Sequence, residues 1–73
     1  MATQIVMDHT GDSRYAFDPQ DKEAVLKAAE RFRVLTGSGF TAAVRDPSGN
    51  ATVTRAFDAT AEETLFLPRL VGG

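Results

Sequence analysis

The chain ends Pro68-Arg69-Leu70-Val71-Gly72-Gly73, and this ending is where its residue types invite chemistry most directly. At average glycine usage, two consecutive terminal glycines arise in roughly half a percent of chains. The reactive group there is the α-carboxylate of Gly73. A carboxylate resists nucleophiles until one of its oxygens becomes part of a leaving group, as in an acyl-adenylate. To reach that stage it must be threaded deep into another protein's active site. Residues without Cβ pass a narrow channel, adopt backbone angles closed to other residues and leave the carbonyl open to attack. Gly72 and Gly73 meet those demands, and Arg69, Leu70 and Val71 supply an extended segment for recognition. A loose chain terminus is the plainer account of the same residues.

The remaining candidates for chemistry are weaker. His9 is the only histidine, with Asp8, Asp12 and Ser13 close in sequence, but turns collect these residue types for conformational reasons. A solvated turn is the better reading than a general base with an orienting acid. One histidine without cysteine could at best recruit Asp8 and Asp12, a short cluster that lacks the ligand sequence of a calcium loop, and no metal or cofactor is expected. Gly37-Ser38-Gly39 follows a helix pattern, whereas a phosphate cradle precedes one, so helix termination accounts for it. Lys27, Arg31 and Arg33 read as part of a solvated helix face. No catalytic residue is assigned, and an enzyme is not expected.

Several elements must position the tail. Gln4–Met7 and Arg14–Phe17 read as a hairpin around Asp8-His9-Thr10-Gly11-Asp12, with Ile5 and Met7 on one face of their strand and Tyr15 and Phe17 on one face of theirs. Asp18-Pro19-Gln20-Asp21 signals a helix start, with Asp18 as cap and Pro19 in the first helical position. Val25, Ala28, Ala29, Phe32 and Leu35 then recur at helical spacing, and Gly37 with Gly39 supplies the stop. Phe40, Ala42 and Val44 alternate inward in a third strand. Asp46-Pro47-Ser48-Gly49-Asn50 turns the chain into a fourth, Thr52–Phe57, with Val53 and Phe57 inward. Thr60-Ala61-Glu62-Glu63 fits a capping box opening a short helical turn. Thr64–Leu67 reads as a buried strand ended by Pro68.

The bulk properties agree with one small domain near the lower limit for a single core. Apolar residues make up 42% and charged residues 25% of the 73, ordinary values for a folded globular chain. Lys plus Arg (8) do not exceed Asp plus Glu (10), which argues against nucleic-acid binding. No apolar run is long enough to span a membrane, no signal peptide is expected, and the absence of cysteine fits a cytoplasmic setting.

The order of elements, the length and the Arg69-Leu70-Val71-Gly72-Gly73 ending resemble the ubiquitin-like β-grasp proteins. The pattern is similar to small bacterial members in Asp18-Pro19, Phe57-Asp58, Glu62-Glu63, Pro68 and Gly72-Gly73. That resemblance implies an α+β fold, ββαββ(β), with one amphipathic helix on one face of a mixed sheet. Its first and last strands would pair in parallel at the centre; an antiparallel sheet of the hairpin strands, with the last segment over an edge, is the alternative. The domain would span residues 1–68, with 69–73 a flexible tail.

By the same resemblance, Gly73 would be adenylated by an activating enzyme and passed to a thiol, a target amine or a sulfur donor. This is the chemistry of a protein modifier or sulfur carrier. An activating enzyme, a conjugating or deconjugating enzyme and protein targets are the implied partners. Lys22 and Lys27 are the only lysines, hence the candidate acceptors for chain building. Val71 stands where ubiquitin has a second arginine, so an acidic pocket for that arginine is not implied. With Gly73 last, no processing protease is expected before activation. The competing expectation is a non-catalytic interaction module with an incidental diglycine, binding through Tyr15, Phe66 or an exposed sheet face. A monomer is expected in either case.

Overall fold

The computed structural model describes residues 1–68. Strands β1 (Ala2–Asp8) and β2 (Gly11–Phe17) form a hairpin, followed by helix α1 (Lys22–Gly37), strands β3 (Thr41–Arg45) and β4 (Ala51–Thr54), and strand β5 (Glu63–Leu67). The fold is a small α+β domain with one helix packed on a mixed five-stranded sheet. The first turn follows from its residues. The Asp8 carboxylate accepts the Thr10 backbone N–H at 2.8 Å, and Gly11 takes the positive φ of 128° that the reversal requires.

The strand order is β2-β1-β5-β3-β4. β1 pairs antiparallel with β2 over its whole length and parallel with β5, where Ile5 faces Leu65 and Val6 faces Phe66. β5 pairs antiparallel with β3 on its other side, and β3 with β4. The last strand therefore lies at the sheet's centre, and the edge alternative is not adopted. Its composition suits the place, since Thr64, Leu65 and Phe66 are all buried.

Register determines the core. Ala2, Gln4 and Val6 of β1, Phe66 of β5 and Ala42 of β3 face α1, which presents Ala24, Val25, Ala28, Phe32 and Leu35. Phe66 is fully buried and meets Phe32 edge-on at 5.7 Å. Burying one such ring stabilises the fold by roughly 1.5–3 kcal/mol. Phe57 joins the two halves of the core, 6.2 Å from Phe17 and 5.9 Å from Phe32. Phe66 is thus a core residue and not the binding residue that the interaction-module expectation assigned it.

Four local expectations are corrected. The helix cap is Asp21, not Asp18: its carboxylate accepts the Glu23 and Ala24 N–H groups at 3.1 and 3.3 Å. Asp18-Pro19-Gln20-Asp21 is instead a turn closed by the Asp21 N–H on the Asp18 carbonyl at 3.0 Å, with Pro19 in the second position that proline favours. At the other end Gly37 stays helical, Ser38 is the C-cap, and Gly39 adopts the left-handed φ of 103°. β4 stops at Thr54, where the Thr54 hydroxyl bonds the Ala56 carbonyl at 3.0 Å and a bend follows. The bend breaks the alternation, so Phe57 turns into the core while Val53 points to the opposite face and is 67% exposed. Finally, no helical turn opens at Thr60. Asp58 holds the Thr60 N–H at 2.9 Å in a tight turn, and Glu63 begins β5 instead.

Candidate functional site

The exit of β5 is the first candidate. The strand ends at Leu67, which is 38% exposed, and Pro68 follows outside the ladder. Proline has no N–H to continue the pairing. The tail residues Arg69, Leu70, Val71, Gly72 and Gly73 lie outside the described residues. The two lysines are distant from one another in role. Lys22 opens α1, and Lys27 is exposed on its outer face, beside a shallow surface formed by Leu26, Glu30, Arg31 and Val34.

The grouping around His9 does not assemble into a catalytic set. Asp8 is engaged by Thr10, whose hydroxyl and N–H hold its carboxyl below the ordinary carboxylate range. Asp12 instead lies 3.5 Å from the Arg14 guanidinium. Asp58 is lowered in the same way, by the Thr60 hydroxyl and N–H. On the helix, Arg33 lowers the Glu30 carboxyl and is itself raised by it. Among the described residues, no group of three or more His, Cys, Asp and Glu side chains could hold a metal ion.

One polar cluster has no counterpart in the expectations above. Gln4 is fully buried, donates from Nε2 to the Ala28 carbonyl at 3.0 Å and accepts from Arg31 Nη1 at 2.8 Å. The same Arg31 guanidinium lies 4.2 Å from the centre of the Tyr15 ring, and Tyr15 is the cross-strand neighbour of Gln4. Tyr15 is therefore partly covered by the helix. The signal was a polar residue on the inward face of a strand, which buries only with partners.

The sheet face opposite α1 forms a second surface. The register sets Arg14, Ile5, Leu65, Ala43 and Val53 in one row across it, with Met7 and Leu67 adjacent. Ile5, Leu65 and Ala43 are buried within this row, while Val53 is exposed at its end. Among the described residues, no helix is long and apolar enough to cross a membrane. Comparison with protein-family models, curated proteins and solved structures returns no match.

Proposed function

We propose that the chain is a ubiquitin-like β-grasp protein that acts as a modifier or sulfur carrier through the carboxylate of Gly73. The observation that carries this reading is the parallel β1–β5 pairing at the centre of a β2-β1-β5-β3-β4 sheet, with the tail following directly from the central strand. Such an arrangement fixes Leu67 and Pro68, the root of the tail, to the end of a buried central strand. The Asp and Glu side chains described above serve turns, the helix cap or ion pairs, which favours a carrier over a catalyst.

In this reading the Gly73 carboxylate attacks the α-phosphorus of ATP, forming the acyl-adenylate and releasing pyrophosphate. A thiol, amine or sulfur donor then attacks the carbonyl, and AMP leaves. The reading requires Gly73 to carry a free carboxylate in the mature protein. It is tested by incubating the protein with ATP and a lysate of its own source, then mapping adducts by mass spectrometry. Adenylate, thiocarboxylate or isopeptide species at Gly73 are expected. If none forms, and if deleting Gly72 and Gly73 leaves the cellular role intact, the reading fails.

The interaction-module reading draws on a different observation. Leu26 and Val34, 70% and 49% exposed, project from the outer side of α1, and Val53 and Leu67 from the opposite sheet face. Under that reading, the deletion of both glycines has no effect, whereas Leu26→Asp or Val53→Asp abolishes the role.

A further inference from the structure

β2 is an edge strand among the described residues, and Gly11 through Ala16 are exposed along it. An edge strand presents a row of outward N–H and C=O groups that templates another strand. Natural edges are blunted by shortness, lysine or proline. β4, the other edge, is short at four residues. β2 has seven residues and neither lysine nor proline, and its charges are one of each sign, Asp12 and Arg14.

We propose that β2 pairs antiparallel with β2 of a second copy, in a two-fold register centred on Ser13, so that one sheet runs through both molecules. Directly opposed residues in an antiparallel ladder either both turn their N–H and C=O groups toward each other or both turn them away. A strand pairing with its own copy therefore always sets one residue opposite itself, and only a few registers exist. Centring on Asp12 opposes Asp12 to Asp12, and centring on Arg14 opposes Arg14 to Arg14. Both place like charges directly across, which destabilises the pair. Centring on Tyr15 leaves Arg14 against Ala16.

The Ser13 register alone sets Asp12 against Arg14 of the second copy, and the symmetry makes that pair twice. Asp12 and Arg14 already lie 3.5 Å apart within one chain, so the four charges alternate in sign around the axis. The same register sets Tyr15 opposite Gly11 on the helix-facing side, an aromatic ring covering an edge glycine. Arg31 stacks on Tyr15 from α1 and holds that ring in advance of pairing. The contact is isologous and closes on itself, so it yields a dimer and not a fibre. It also replaces the expected monomer with a concentration-dependent equilibrium. A single ladder buries less than a standard interface, so the dimer is weak.

The test is sedimentation velocity on the full chain from about 10 μM to about 1 mM, a range that spans weak association. The sedimentation coefficient is expected to rise with concentration. Asp12→Arg and Arg14→Asp should each weaken association at least about tenfold, and the double exchange should restore it, because it rebuilds both cross-copy pairs. Circular dichroism checks that each variant is folded.

Because the chain has no cysteine, single thiols read the register directly. In the proposed pairing the two Ser13 Cα atoms lie about 4.5–5.5 Å apart, inside the range a disulfide spans, whereas the two Tyr15 Cα atoms are about 14 Å apart. Ser13→Cys should therefore oxidise to a covalent dimer much faster than Tyr15→Cys. A wild-type chain monomeric throughout the range overturns the proposal. So does association that survives both single reversals, equal cross-linking at the two positions, or an edge that takes up an extended peptide but never a second copy.

Discussion

At the residue scale, five aspartates are engaged by the backbone, while Asp12, Glu30 and Glu63 pair with arginines. Asp8, Asp18, Asp21, Asp46 and Asp58 each accept an N–H from the residue two ahead. At Asp8 and Asp58 the hydroxyl and N–H of Thr10 and Thr60 stabilise the ionised carboxylate and depress its pKa below the ordinary 3.8. As pH falls past 3.8, the unfolded chain takes up protons on these groups before the folded one does. Their stabilising contribution is therefore present in full above that pH and is lost as pH falls through the lower folded values. Thermal melts between about pH 2 and 6 should show a shallower acid slope for the Asp8→Asn, Asp58→Asn double variant than for the parent. Gln4 makes the opposite kind of contribution, deep inside. Gln4→Ala removes two hydrogen bonds and opens a cavity between sheet and helix. A loss of about 2–3 kcal/mol is expected from urea unfolding, with the slope unchanged.

At the scale of elements, each strand and the helix were legible from periodicity, and their boundaries much less so. The helix stripe Val25, Ala28, Phe32 and Leu35 is the face that packs on the sheet, as its spacing indicated. Its start was misread because Asp18-Pro19 and Asp21 offer the same cap chemistry, and only the turn geometry separates them. Asp21→Ala should cost about 1 kcal/mol, and Asp18→Ala clearly less, by chemical denaturation. β4 was read through to Phe57 because Val53 and Phe57 share a parity; the bend after Thr54 breaks it, and nothing in the alternation signals a bend. Gln4 escaped notice because a polar residue at the margin of an apolar run reads as a boundary. Its partner Arg31 is 27 positions away, beyond the reach of local pattern.

At the scale of the whole molecule, the pairing of first and last strands rests on contacts that no local window contains. Ile5 meets Leu65 because β5, with Thr64, Leu65 and Phe66 all buried, lies inside the sheet between β1 and β3, a place that its near-continuous apolar run suits and that composition suggests. Which strand lies there, and in which direction, is not contained in the spacing; the parallel order was an expectation drawn from a resemblance alone. The candidate site was legible to the same degree. Its root at Leu67 and Pro68 follows from the strand and its terminator, while the chemistry of Gly72 and Gly73 rests on residue type alone.

The parallel alignment of β1 and β5 also governs how the domain bears mechanical load. Tension applied through Met1 and Pro68 draws the two strands past one another along their common axis, so the hydrogen bonds of their ladder are strained together. Tension applied through Thr41 and Thr54, at adjacent ends of an antiparallel pair, opens its bonds one after another. Single-molecule pulling should therefore record a markedly higher rupture force for the first geometry than for the second. A pull directed along the chain beyond Pro68 would therefore load the β1–β5 ladder in shear.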